Sequence, residues 1–103
     1  MRILVFGSTG LVGSSTVKAL IKNDKYTKVF GSTRKDTNLF SFDDTHETIK
    51  DFRPDVIVNA AAKVGGILAN NDFPYQFLME NMQIQNNLID GAHKIGIEKF
   101  IFL

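Results

Sequence analysis

The 103-residue sequence contains no cysteine, which excludes disulfides and thiolate metal sites from it. It has only two histidines, His46 and His93, far apart and without carboxylates at ligand spacing, so a metal centre is not expected. Excess charge is also missing. Twelve Lys and Arg stand against eleven Asp and Glu, and no basic stripe accumulates, which argues against nucleic acid or an anionic membrane as the main partner. The apolar runs are of strand length, far short of a membrane span. Internal repeats and low-complexity linkers are absent, and Met1-Arg2 leads directly into an apolar run with no signal-peptide pattern. With 44% hydrophobic and 22% charged residues, the composition is that of a soluble, cytoplasmic globular protein of at most one domain.

What the chain does have, at its start, is a glycine-rich turn. Arg2-Ile3-Leu4-Val5-Phe6 runs into Gly7-Ser8-Thr9-Gly10-Leu11-Val12-Gly13. A β-branched strand, a glycine turn and a helix are the components from which parallel α/β folds build a dinucleotide pyrophosphate site. Gly7 permits the turn off the strand, Gly10 lets backbone approach phosphates, and Gly13 lets the new helix sit close to the sheet. Free N–H groups and the positive end of the helix dipole would then face the diphosphate. The spacing is GxxGxxG, one residue wider than GxGxxG. The same glycines also fit a plain turn.

The rest alternates between strand and helix. Residues 2–6 read as a strand and 11–22 as a helix, with Leu11, Val12, Ser15, Ala19 and Leu20 near one face. A short strand is predicted over 27–31, and a polar loop over 32–44. A short helix over 45–52 has Asp43, Asp44 or Thr45 as its N-cap. Arg53-Pro54-Asp55 turns into the apolar strand 56–60, suited to cover on both faces. Pro74 opens a long helix to about Lys94, Gly96 ends it, and a fourth strand runs over 98–103. This pattern predicts a Rossmann-type α/β fold, a parallel sheet in order 3-2-1-4 with helices on both faces. A fourth strand reading Phe-Ile-Phe-Leu and left without a neighbour is an aggregation hazard, so the expectation is an incomplete fold, residues 1–103 being the N-terminal part of a larger domain.

The segment after the second strand selects the cofactor. NAD sites place an acidic residue there for the ribose hydroxyls. Here the sequence reads Gly31-Ser32-Thr33-Arg34-Lys35-Asp36, and Arg34 lies 21 residues beyond Gly13. A guanidinium at this point can hold a 2′-phosphate through a charge-assisted fork, and Lys35 adds a second cation, which favours NADP(H). A solvated charged loop is the alternative. Asp36 dissents, because it can itself reach a ribose hydroxyl. Asn38 and Leu39 are candidates for the adenine pocket, and Leu39 equally for a core anchor. At the carboxyl end of the third strand, Asn59-Ala60-Ala61-Ala62-Lys63-Val64-Gly65-Gly66 leaves room for a flat cofactor beside bare backbone, with tight packing as the alternative; Lys63 is a weaker cofactor candidate.

The string Ala61-Ala62-Lys63-Val64-Gly65-Gly66-Ile67-Leu68-Ala69-Asn70-Asn71 resembles the signature of GDP-L-fucose synthases, which are extended short-chain dehydrogenase/reductases. The likeness runs through the glycine turn, Thr33-Arg34, Asn38-Leu39 and the segment from Pro74 to Leu103. It implies an NADPH-dependent epimerase and oxidoreductase that converts GDP-4-keto-6-deoxymannose to GDP-L-fucose. Residues 7–13 would contact the diphosphate, 34–39 the adenosine 2′-phosphate end, and 60–63 the second ribose and nicotinamide. The family's catalytic Ser, its Tyr-x-x-x-Lys pair and its epimerising Cys and His have no counterpart here. Tyr26 has no Lys four residues on, and Tyr75 meets Met79 at that spacing. The 103 residues alone are therefore expected to be inactive, since hydride delivery to a ketone needs a proton donor beside the forming alkoxide.

Phe73, Phe77, Leu78, Met82, Ile84, Leu88 and Ile89 make the long helix apolar on more than one side. One side must cover the sheet, and the resemblance implies a homodimer through the 74–94 helix. His93, near the end of that helix, is accounted for by the dipole. Two rival readings keep the same glycine turn: an epimerase or dehydratase acting on another sugar nucleotide, and a non-catalytic NADP(H)-binding module.

Overall fold

Each strand of this chain is followed by a helix, apart from the last. The computed structural model describes residues 1–23, 27–61, 74–97 and 99–103. In order, the elements are β1 (Arg2–Phe6), α1 (Leu11–Asn23), β2 (Lys28–Ser32), α2 (Phe42–Phe52), β3 (Val56–Asn59), α3 (Pro74–Ile95) and β4 (Lys99–Phe102). All three strand pairings are parallel, with Phe6 beside both Ser32 and Asn59 and with Asn59 beside Phe102. Parallel pairing leaves both faces of the sheet to be covered by helices.

Side chains alternate across a strand, and two cores result. On one face Leu4, Phe6 and Ile57 meet Ile49 of α2 and Ile84, Leu88 and Ala92 of α3. On the other, Ile3, Val5, Val56 and Val58 meet Val17 and Leu20 of α1.

The doubly covered parallel sheet is the one expected, but the strand order is β2-β1-β3-β4, not 3-2-1-4. Burial explains the difference. Every residue of β3 is buried, whereas β2 exposes Lys28 and Phe30. The wholly buried strand, apolar but for Asn59, therefore takes an inner position beside β1, and the half-exposed strand takes the edge.

Two helices also depart from expectation. In α1, Leu11 is 86% exposed and Val12 54%, and Ser15 and Ala19 are exposed too. Leu20 alone of the expected face packs against the sheet, joined there by Val17, and Gly13 is buried. The second helix starts three residues early, at Phe42, because Ser41 is its N-cap and its hydroxyl accepts from the Asp44 N–H at 3.2 Å. In α3 the buried positions Ile84, Leu88, Gly91 and Ala92 follow helical spacing, and Leu78, Met82 and Ile89 are exposed. Among the described residues, no helix is long and apolar enough to cross a membrane.

Candidate dinucleotide site

The carboxyl ends of β1, β2 and β3 lie side by side in register, so the segments leaving them are forced together. The Gly7 and Ser8 N–H groups both donate to the Ser32 carbonyl, at 3.0 and 3.2 Å, which fixes the glycine turn to the end of β2. The Ala60 N–H donates to the Phe6 carbonyl at 3.0 Å, and the Ala61 N–H to the Asn59 side-chain oxygen at 2.9 Å. Residues 60–61 thus run directly beside the turn.

Gly7 has φ +76°, where an L side chain is strained, and a Cβ there would lie 2.7 Å from the Ala61 nitrogen. A Cβ on Gly13 would overlap the Gly7 carbonyl and lie 3.2 Å from the Ser8 Cα. Gly10 is different, for its nearest neighbour would be the Gly7 oxygen at an ordinary 3.5 Å. Two of the three glycines are therefore demanded by the protein's own backbone. The third is left free for something else to approach.

The turn closes with the Gly10 N–H on the Gly7 carbonyl at 3.2 Å, and α1 begins with the Ser14 N–H on the Gly10 carbonyl at 2.9 Å. Between them, the N–H groups of Leu11, Val12 and Gly13 have no acceptor among the described residues. They are the unpaired donors at the positive end of a 13-residue helix, a ready anion site.

Beyond β2 the chain makes a tight turn. The Asp36 and Thr37 N–H groups donate to the Thr33 carbonyl at 3.1 and 3.0 Å. The Thr33 N–H and hydroxyl donate to Asp36 Oδ2 at 2.9 and 3.0 Å, and the Lys35 N–H donates to the Thr33 hydroxyl at 3.2 Å. The Asp36 carboxylate is thus turned into its own loop, and the Thr33 N–H, then the Thr33 hydroxyl, hold its pKa below the usual aspartate value. Arg34 and Lys35 sit exposed at the tip, and among the described residues neither forms an ion pair. All three side chains at this tip are exposed, and of the three only Asp36 has a local partner, with its Oδ2 bonded to Thr33.

A lowered folded-state pKa means that the clamp contributes its full stability above the unfolded value of 3.8 and loses it as pH falls through the lower folded value. Asp36→Asn is expected to flatten that acid limb of the stability–pH curve, read by chemical denaturation across the acid range. An unaltered limb would show that the clamp adds nothing.

Of the two adenine-pocket candidates, Asn38 is exposed and its side-chain oxygen accepts from the Phe40 N–H at 3.1 Å. Leu39 is half-buried and packs against the core cluster that includes Leu4 and Phe6, so it anchors the loop. Asn87 of α3 donates to the Leu39 carbonyl at 2.9 Å, and Gln83 to the Phe40 carbonyl at 2.7 Å. Ala62, Lys63 and residues 64–71 lie outside the described residues, so the predicted cofactor contacts there have no described geometry. His46 stacks on Phe42, and among the described residues no group of three His, Asp or Glu is placed to hold a metal.

Three residues that shape this site were missed from the sequence. Gly31 of β2 has no room for a Cβ, which would fall 2.6 Å from the Ser8 Cβ; a glycine inside a strand was the available signal. Ser32 and Thr37 are 1% and 2% exposed, with their hydroxyls 2.8 Å apart. Nothing in a polar stretch marks a threonine as buried. The open depression lined by Lys50, Arg53, Pro54, Ile95 and Ile97 lies at the opposite, amino-terminal end of the strands, away from these residues.

The family model described as "NAD dependent epimerase/dehydratase family" matches residues 3–103. A putative GDP-L-fucose synthase 2 of Arabidopsis thaliana is 39% identical over 102 residues, covering 99% of this chain. The chain spans about a third of that relative's length, 31%. Among solved structures, a GDP-mannoheptose C4 reductase from Campylobacter jejuni with NADP bound superposes at TM-score 0.87 and 26% identity, over 98% of this chain and 32% of that one. A GDP-L-fucose synthetase from Naegleria fowleri bound to NADP superposes at 0.81 and 28% identity, over 98% of this chain and 29% of that one.

Proposed function

The chain belongs to the NAD dependent epimerase/dehydratase family, and from that premise we propose that it forms the NADP(H)-binding segment of an epimerase/reductase that makes GDP-L-fucose. One observation carries the cofactor reading. The unpaired N–H groups of Leu11, Val12 and Gly13 follow a turn bonded to the Ser32 carbonyl, and the loop that leaves Ser32 has its only carboxylate bonded to Thr33 and its Arg34 and Lys35 exposed. The donors suit a diphosphate, and the cations suit a 2′-phosphate rather than bare ribose hydroxyls.

In this reading residues 7–13 hold the diphosphate, with Gly10 giving room for its approach and Gly7, Ser8 and Thr9 shaping the turn. Arg34 grips the 2′-phosphate bidentately, Lys35 adds charge, Asn38 and Leu39 border the adenine, and Asp36 keeps the turn closed. Ala60 and Ala61, with Ala62 and Lys63 after them, border the second ribose and nicotinamide. NADPH, when bound, supplies the hydride for a 4-keto sugar nucleotide. The substrate is inferred from the names of the relatives, all of them longer than this chain, and from the alanine-lysine-glycine string. The reading keeps a cytoplasmic enzyme, a combined isomerase and oxidoreductase. It also keeps a homodimer through α3, whose Leu78, Met82 and Ile89 lie outside the buried stripe of Ile84, Leu88 and Ala92.

The test is to give the full-length protein GDP-4-keto-6-deoxymannose with NADPH, follow NADPH absorbance and identify the product by NMR. NADPH consumption with GDP-L-fucose as product supports the reading. Turnover to a different sugar nucleotide, or none with active protein, overturns the substrate assignment.

A further inference from the structure

We infer that Thr37 is a positioning residue for cofactor selection, the centre of a hydroxyl chain, buried at Ser32 and Thr37, that holds the Arg34–Lys35 tip where a 2′-phosphate must bind. The inference rests on the reading of those two cations as the 2′-phosphate contacts.

Thr48 of α2 donates to the Asp44 carbonyl at 3.1 Å. Its single hydroxyl proton is thereby used, so the 2.8 Å contact between Thr48 and Thr37 requires Thr37 to donate. Thr37 in turn accepts from Ser32, whose hydroxyl lies 2.8 Å away. The direction runs Ser32 to Thr37 to Thr48 to the Asp44 carbonyl, and every proton has one acceptor. Asp44 then closes the circuit, because its carboxylate accepts from the Asn38 N–H at 2.6 Å.

The loop is thus fastened at both ends. Ser32 is the last residue of β2, Asn38 follows the turn, and Arg34 and Lys35 occupy the arc between them. This segment has no strand or helix of its own. What sets its path is the Thr33–Asp36 clamp within it and the hydroxyl chain beneath it. A bidentate fork on a phosphate is sensitive to where the guanidinium's backbone stands, so the chain bears on the 2′-phosphate more than on the rest of the dinucleotide. The glycine turn is held separately, through the Ser32 backbone carbonyl.

Valine at position 37 keeps the shape but leaves the Ser32 hydroxyl without its acceptor and the Thr48 oxygen without its donor. The buried Ser32 hydroxyl is then without a partner beneath the loop, while the partly exposed Thr48 keeps its bond to Asp44 and can take water, so the loop shifts at its Ser32 end.

The experiment measures dissociation constants for NADPH and NADH, side by side, on the full-length protein and four variants. Thr37→Val is expected to weaken NADPH roughly tenfold while NADH changes by less than about twofold. Thr37→Ser restores the hydroxyl and is expected to restore the preference. Thr48→Ala cuts the same chain at a helical position where alanine is well tolerated. It is expected to shift the NADPH-to-NADH ratio in the same direction, and it decides the matter if Thr37→Val does not fold. Equal weakening of both cofactors, or none, in the folded variants overturns the positioning role. Arg34→Ala separates the two levels. If it leaves the ratio unchanged, the 2′-phosphate reading itself fails and this inference with it; if it collapses the ratio while Thr37→Val and Thr48→Ala do not, only the positioning role is refuted.

Discussion

Arg34→Asp is expected to weaken NADPH binding by about two to three orders of magnitude and to leave NADH within severalfold of its starting affinity. A hydrogen bond to a charged group is worth about 1.5–3 kcal/mol, and a guanidinium can make two to one phosphate. The substitution removes both and sets a carboxylate against a dianion. Because Arg34 stands exposed at the loop tip, solvent and salt screen part of that repulsion, which keeps the loss near the lower end at physiological ionic strength. The fate of NADH makes the experiment specific. An aspartate at this point can accept from the ribose hydroxyls, as acidic residues do in NAD sites. Fluorescence titrations of both dinucleotides at one salt concentration give the answer, and an equal loss for both would refute a 2′-phosphate role for Arg34.

Gly13→Ala is the substitution expected to damage the fold most. The new methyl would fall on the Gly7 carbonyl, 2.7 Å from its carbon, and both groups are backbone. No rotamer change relieves such a clash. Either the first turn of α1 lifts from the sheet, or the turn opens and Gly7 leaves the Ser32 carbonyl and its seat against residues 60–61. Overpacking of this kind costs about 3 kcal/mol or more, a large share of the roughly 5–15 kcal/mol that stabilises a domain. The N–H groups of Leu11 and Val12 move with the helix, so NADPH binding is expected to disappear as well. Gly10→Ala is the control. Its methyl makes only a 3.5 Å contact, so stability is expected to change by about 1 kcal/mol or less, while binding weakens because the phosphates lose their clearance. Denaturation and NADPH titration of both variants separate the roles, and a Gly13→Ala protein as stable as wild type would contradict the packing account.

The alternation of strand and helix was legible because each apolar run had its own punctuation. Arg2–Phe6 meets a glycine turn, Val56–Asn59 follows Arg53-Pro54-Asp55, and Gly96 closes the long helix. The strand order was not legible, since periodicity does not say to which side of β1 a crossover passes. The deciding feature was the contrast in polarity between Lys28–Ser32 and Val56–Asn59. The start of α2 was hidden by Phe42, an apolar residue in a first turn, although Ser41 and Asp44 already had capping spacing. On α1, apolar spacing placed Leu11 and Val12 with the core, but both are exposed at the start of the helix, where it is Gly13 that packs against the Gly7 backbone.

Within the candidate site, the glycine turn and the Arg34-Lys35 pair stood out in the sequence because their spacing suits the chemistry of a dinucleotide. The Asp36–Thr33 clamp and the Ser32–Thr37–Thr48 chain did not, because each depends on which groups the fold brings to about 3 Å from a hydroxyl. Serines and threonines in a polar stretch look alike until the backbone is in place.

The measurement that bears most directly on the whole account is a crystal structure of the full-length protein grown with NADP. The account predicts the diphosphate on the N–H groups of Leu11 and Val12, beside Gly10, and the 2′-phosphate on the Arg34 guanidinium with Lys35 close by. A dinucleotide bound elsewhere, or one seated in this turn with its 2′-phosphate pointing away from Arg34 into solvent, would contradict it.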